Sequence, residues 1–170
     1  GVLALAGVPW KDEVVSASAD GTLRLWRLSS GRTVRVFRGH SRAVGDCRVS
    51  ADGRFLASAS ADLTAILWDL ARGTPLRTFY GHSSPVRCVA LSDDASLLAT
   101  GSEDQSVLLW DTRRAVVLER VRGHTDVVSA CAFAPVGAAQ RVPVRNVLDA
   151  ALATLREALE RARAEAAAQG

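Results

Sequence analysis

A spacing of 42 residues recurs throughout the first two thirds of this chain of 170 residues. Four columns keep it: a Trp, an Asp six residues before the Trp, a Ser or Thr four residues before that Asp, and a Gly-His pair. Their members are Trp26, Trp68 and Trp110; Asp20, Asp62 and Asp104; Ser16, Ser58 and Thr100; and Gly39-His40, Gly81-His82 and Gly123-His124. An internal repeat of this length predicts similar units that bury their apolar faces against one another.

Each unit contains four short apolar segments separated by turn residues. In the second unit we predict strands over 44–50, 55–60, 64–69 and 75–80, with turns at Ala51-Asp52-Gly53, around Asp62 and at Gly73. Strands this short, with Asp, Gly or Pro turns every 8–12 residues or so, predict an all-β architecture.

The repeat resembles that of the WD-repeat family. The residues that carry the resemblance are a Gly-His pair, 27 intervening residues and then Trp-Asp, at 68–69 and 110–111; the first unit has Trp26-Arg27 instead. Units of about 40–45 residues with these marks correspond to four-stranded propeller blades. The resemblance covers residues 1–135 and implies a partial β-propeller of three four-stranded antiparallel blades, near 2–38, 44–80 and 86–121, plus one strand of a fourth.

The repeat pattern breaks down in the fourth unit. This partial blade, 124–135, begins at His124 with a predicted strand over Val127–Phe133, but Val142, Asn146 and Leu152 occupy the places of the expected Ser or Thr, Asp and Trp. We predict a linker over 136–146 and, from a heptad-like apolar stripe, a C-terminal α-helix over 147–167. Three interpretations of the helix stay open: it caps the propeller, pairs with a partner helix, or is a foreign sequence introduced by a gene-model or splicing change.

Three blades are fewer than the ~4–8 that usually close a propeller ring. We therefore expect the chain to be a segment of a longer protein, or to associate with itself through its open blade faces.

His40, Ser58 and Asp62 have the residue types of a nucleophilic triad. The set recurs in the next repeat, and each copy has a Trp at a fixed offset, so a structural network is favoured and no catalytic set is assigned. The resemblance implies that this network runs Trp–Ser/Thr–His–Asp within a blade. Its residues are His40, Ser58, Asp62 and Trp68; His82, Thr100, Asp104 and Trp110; Ser16, Asp20 and Trp26 without a histidine; and His124 alone.

Other kinds of site find little support in the sequence. Cys47, Cys88 and Cys131 form no C-x-x-C pair, which predicts buried free thiols in a reducing compartment and neither a disulfide framework nor a zinc site. There is no phosphate-cradling Gly loop and no cluster of metal ligands, so we expect no metal, cofactor or small-molecule substrate. No apolar run approaches ~18 residues, so no transmembrane helix is predicted.

The resemblance implies a non-catalytic scaffold that binds other proteins or peptides and assembles multiprotein complexes, in the cytoplasm or alternatively the nucleus. Its candidate contact face is built by the loops that join successive blades and the turns between the second and third strands. The candidate residues are Arg42, Ala61, Ser84, Glu103 and Asp126.

Two other functions stay open. One is a regulatory or sensor propeller of a larger protein that carries a catalytic module, such as an NTPase switch or a ubiquitin-ligase component. The other is a chromatin- or nucleic-acid-associated propeller. The net charge is only +3, so a solvated surface is favoured over nucleic-acid binding.

Overall fold

The computed structural model describes residues 1–134, and these form three separate four-stranded sheets. The first contains β1 (Val2–Gly7), β2 (Glu13–Ser18), β3 (Leu23–Arg27) and β4 (Arg32–Phe37). The second contains β5 (Val44–Val49), β6 (Phe55–Ser60), β7 (Thr64–Asp69) and β8 (Thr74–Tyr80). The third contains β9 (Val86–Leu91), β10 (Leu97–Ser102), β11 (Ser106–Asp111) and β12 (Val116–Arg122).

Strands follow chain order in every sheet, and all neighbouring strands are antiparallel. The prediction of an all-β fold built from three four-stranded antiparallel blades is therefore confirmed. The first blade ends at Phe37 and the third at Arg122, each one residue from the predicted limit.

Burial explains the composition of the strands within a blade. The second strand, β6, is almost wholly buried, and accordingly consists of apolar and small residues. The outermost strand, β4, is mostly exposed and carries arginines, which keep an outer strand from pairing with other chains.

The core lies between the blades. Val15, Leu23 and Leu25 of the first blade belong to one apolar cluster with Leu56 and Trp68 of the second blade. An equivalent cluster joins the second and third blades. No blade buries its apolar faces by itself, which is why the structural unit repeats.

The predicted strand over Val127–Phe133 is not formed, and this part of the sequence interpretation was wrong. Residues 123–134 belong to no sheet, although Val128 is buried and its N–H donates to Ser102 O at 3.1 Å. The innermost strand of a blade pairs with the second strand of the same blade, and the residues that would form that strand in the fourth blade lie outside the described residues.

The predicted linker over 136–146 and helix over 147–167 lie outside the described residues. Among residues 1–134 there is no helix long and apolar enough to cross a membrane.

Candidate functional site

A chain of hydrogen bonds crosses the second blade from β7 to the loop that precedes β5. Trp68 Nε1 donates to Ser58 Oγ at 2.9 Å, and Ser58 Oγ lies 2.8 Å from His40 Nε2. His40 Nδ1 lies 2.8 Å from Asp62 Oδ2. Since His40 belongs to the loop between β4 and β5 and Asp62 to the turn between β6 and β7, the chain connects that loop to that turn.

The chemistry of the groups sets the direction of these bonds. An indole N–H can only donate, so Ser58 accepts from Trp68 and uses its own O–H to donate to His40 Nε2. His40 then holds its proton on Nδ1 and donates it to Asp62. Burial lowers the pKa of His40, which keeps the imidazole neutral as this arrangement requires.

Asp62 is held ionised although it is largely buried. Burial by itself would raise the pKa of the carboxyl group, but hydrogen bonds from Thr64, His40 and the Ser41 N–H outweigh it and lower the pKa. Ser58 is completely buried, so its hydroxyl is not placed for attack on a substrate.

The third blade repeats the arrangement. Trp110 Nε1 donates to Thr100 Oγ1 at 2.8 Å, and Thr100 Oγ1 lies 2.8 Å from His82 Nε2. His82 Nδ1 lies 2.8 Å from Asp104 Oδ2. Only 1% of the His82 side chain and 7% of the Asp104 side chain are exposed. Burial would raise the pKa of Asp104, but hydrogen bonds from Ser106, His82 and Ser83 lower it far below its usual range.

The two outer units contain only part of this arrangement. In the first blade Trp26 Nε1 donates to Ser16 Oγ at 2.8 Å, while Asp20 is exposed. No described residue of that blade supplies a histidine to it. His124 is exposed, and the positions that would complete its set lie beyond the described residues.

Sequence reasoning missed how each network aspartate divides its two oxygens. Oδ2 of Asp62 accepts from His40 and from the Ser41 N–H, whereas Oδ1 accepts from both the N–H and the hydroxyl of Thr64. Oδ1 thus stabilises the turn into β7, and Oδ2 holds the loop between β4 and β5. The hydroxyl residue could have been found from the period, since Thr22, Thr64 and Ser106 keep the spacing of 42.

The glycine of each Gly-His pair also has a role that the sequence left unexplained. A Cβ added to Gly39 would lie 2.8 Å from Cη2 of Trp68, and one added to Gly81 would lie 3.0 Å from Cη2 of Trp110. Glycine therefore leaves room for the indole that starts the hydrogen-bond chain. A Cβ at Gly123 would meet no atom of residues 1–134 within 4 Å.

Four of the five predicted contact residues lie on the loops and turns that the network holds. Exposed Arg42 and half-buried Ala61 line one shallow recess together with Ser41, Asp62 and Leu63. In the third blade Ser84 and Glu103 occupy the equivalent positions.

Two of these residues already have partners within the chain. Glu103 accepts from Arg87 Nε at 2.6 Å. Asp126 is exposed, and its carboxylate accepts from the N–H of Val127 at 2.7 Å.

The cysteines are free thiols in different surroundings. Cys47 and Cys88 are buried, and Cys131 is half-buried. Burial raises the pKa of Cys47 to about 12. No three His, Cys, Asp or Glu side chains among residues 1–134 come together as a metal site.

Comparisons with known proteins agree with this geometry. A family model described as "WD domain, G-beta repeat" matches residues 1–27, 31–69 and 73–111. Nuclear distribution protein PAC1-2 of Uncinocarpus reesii is 54% identical over 43 residues, which are 25% of this chain and 9% of that protein. Nuclear distribution protein PAC1 of Arthroderma otae is 42% identical over 55 residues, 32% of this chain and 12% of that protein. The chain thus spans only a small part of the length of these curated relatives.

Proposed function

This chain belongs to the WD-repeat family, and on that premise we propose that its blades form a non-catalytic scaffold that binds other proteins or peptides and assembles them into complexes. WD repeats generally mediate contacts between proteins. We place the binding surface on the face made by the loops between blades and the turns between the second and third strands.

The observation that carries this proposal is the buried His–Asp bond in two consecutive blades. It holds the loop before the innermost strand against the turn into the third strand, and it leaves Arg42 and Leu63 exposed above it. A surface fixed in this way loses little conformational entropy when a partner binds, which favours affinity.

The same bonds argue against catalysis. Ser58 and Thr100, the hydroxyls beside the two histidines, are both completely buried and accept from an indole N–H. A nucleophile has to reach its substrate, so we assign these residues to stability, and we propose no substrate or cofactor.

The named relatives support a WD-repeat scaffold more than they support a particular cellular process. The match to PAC1-2 covers 43 residues, about one repeat. Likeness over one blade supports a scaffold built from the same blade, which we place in the cytoplasm. A role in nuclear distribution would need a likeness over much more of the relatives' length.

Charge reversal on the proposed face tests this function. Arg42→Glu changes an exposed residue of the recess, and Arg72→Glu makes the same change in the exposed turn between β7 and β8, at the other end of the strands. We expect proteins captured by the immobilised wild-type chain to be lost, by about tenfold or more, from the Arg42 variant and kept by the Arg72 variant.

Unfolding midpoints of both variants serve as the control for folding. Equal capture by both variants, or equal loss from both, would contradict the placement of the surface on this face.

A further inference from the structure

The innermost strand of one blade contacts the innermost segment of the next blade, and two positions of the repeat face each other there. At the junction of β5 with β9, the Val89 N–H donates to Asp46 Oδ2 at 3.1 Å. One repeat earlier these positions are Ala4 and Cys47, which pack in one apolar cluster. One repeat later they are Cys88 and Cys131. The third junction is therefore the one that carries a thiol on both sides.

The contacts at this junction place the thiols together. The Cys88 and Cys131 side chains interact with each other. Cys88 Sγ lies 3.7 Å from Val128 O, and Cys131 Sγ lies 3.7 Å from Ala99 O. Each thiol thus also contacts the backbone of the opposite side of the junction.

Close packing keeps the segment that carries Cys131 against the third blade. A Cβ added to Gly101 would lie 2.5 Å from Cys88 Sγ and 2.6 Å from Val128 Cγ1. The absence of a side chain at residue 101 therefore lets the segment that carries Val128 approach Cys88 closely.

The two thiols affect each other's ionisation. The interaction lowers the pKa of Cys88, and together with burial it raises the pKa of Cys131. Since the thiolate is the reactive form of cysteine, the lowered pKa favours Cys88 as the sulfur that reacts first.

We propose that Cys88 and Cys131 are a redox-sensitive pair that a hydroperoxide converts to an intramolecular disulfide, joining residues 127–133 to the third blade. The Cys88 thiolate attacks one peroxide oxygen, the O–O bond breaks, and the departing hydroxide is protonated to water, which leaves a sulfenic acid. The Cys131 sulfur then attacks the Cys88 sulfur, its proton joins the hydroxyl group, and a second water departs. Each thiol loses one electron, and the peroxide takes up both.

Other fates of the pair have less support. Within residues 1–134 no third ligand stands near the two sulfurs to complete a metal site. Cys47 has Ala4 at its partner position and therefore no second thiol to join, and burial raises its pKa to about 12. Cys47 therefore serves as an internal control that should stay reduced.

Thiol counting and peptide mapping on the full chain test the proposal. After treatment with hydrogen peroxide we expect two of the three thiols to be lost, a linked pair of peptides that contain Cys88 and Cys131, and full recovery with dithiothreitol. Cys47→Ser should lose two thiols in the same way, and Cys131→Ser should form no intramolecular link. Retention of all thiols, a link that includes Cys47, links only between chains, or oxidation to sulfinic acid without a link would each overturn the proposal.

Hydrogen exchange of the wild-type chain gives a second measurement that needs no variant to fold. We expect backbone exchange over residues 127–133 to slow by about tenfold or more on oxidation, because the bond holds this segment on the blade. Unchanged exchange in chains whose disulfide is confirmed by mapping would refute the joining of the segment.

Discussion

The indole N–H of Trp68 has to find its acceptor inside the protein, because the side chain is fully buried. Ser58 supplies the acceptor and is itself satisfied by His40. In the first blade Ser16 accepts from Trp26 in the same way, but Trp26 is half-buried and no histidine follows. Removal of the Ser58 hydroxyl would therefore leave a buried indole N–H and a histidine nitrogen unpaired, whereas removal of the Ser16 hydroxyl would affect only the half-buried indole of Trp26.

Removal of this hydroxyl should be more costly in the second blade than in the first. We expect Ser58→Ala to lower the free energy of unfolding by about 1–3 kcal/mol, because it leaves a buried N–H and a buried imidazole nitrogen without partners. Ser16→Ala is the matched control, with a smaller expected loss because water can reach the indole of Trp26. Urea denaturation measures both values, and an equal or larger loss for Ser16→Ala would argue against the network.

Acid should weaken the fold through the same residues. Burial lowers the pKa of His40 below its ordinary 6.5, so below about pH 6.5 the unfolded chain binds more protons than the folded one and stability falls with pH. Asp62 and Asp104, whose pKa values are lowered from 3.8, add a further loss at more acidic pH.

Urea denaturation between pH 7.5 and pH 5 measures this effect. We expect His40→Gln to flatten the pH dependence, whereas the same change at the exposed His124 should leave it as in the wild type. A wild-type free energy of unfolding that stays constant across this range would contradict the argument.

At the scale of elements, the loop between blades packs on the third strand through a glycine. Gly39 precedes the network histidine and faces the ring of Trp68, whereas Gly123, which opens the fourth unit, has no neighbour among residues 1–134 within 4 Å of an added Cβ. The Gly-His pair therefore combines a close approach with a hydrogen bond.

Adding one methyl group should destabilise the chain at Gly39 and have little effect at Gly123. We expect Gly39→Ala to destabilise the chain by about 1–3 kcal/mol, because the new Cβ forces the loop or the indole to move. Gly123→Ala is the matched control, with an expected change in the free energy of unfolding near zero. Thermal or urea unfolding measures both, and equal effects would show that the packing against Trp68 is not the cause.

In the turns between the second and third strands, the fold imposes a backbone conformation that two of the three residues there do not favour. Gly21, Leu63 and Gln105 all adopt left-handed backbone, with φ of 81°, 74° and 66°. Only the glycine is suited to it, and other residues lose roughly 1–2 kcal/mol there. The bonds from each aspartate into the turn, and from the histidine to that aspartate, offset this loss in the second and third blades.

For the three blades of residues 1–134 as a whole, the face of the first blade that points away from the second blade is exposed. Leu5 is 62% exposed, whereas Cys47 and Val89, which hold the same position in the next two blades, are fully buried by the preceding blade. Leu3 and Val2 beside it are also exposed. Apolar surface of this kind favours association.

Replacing one residue of this face should change the state of association. We expect the mass of the wild-type chain in light scattering to rise with concentration, and Leu5→Glu to reduce that rise. Leu28→Glu is the matched control, because Leu28 is 61% exposed but lies in the turn between β3 and β4. A wild-type chain that stays monomeric, or two variants that behave alike, would contradict association through the first blade.

By itself the sequence determined the strands, their order and the residues of the network, because these follow from the period of 42 and from the needs of a buried indole and imidazole. Only the tertiary structure decided how residues of different blades meet. It showed the room beside Trp68, the meeting of Cys88 with Cys131, and the failure of residues 127–133 to pair as a strand. Pairing within a blade is local along the chain, whereas contacts between blades depend on how whole sheets pack.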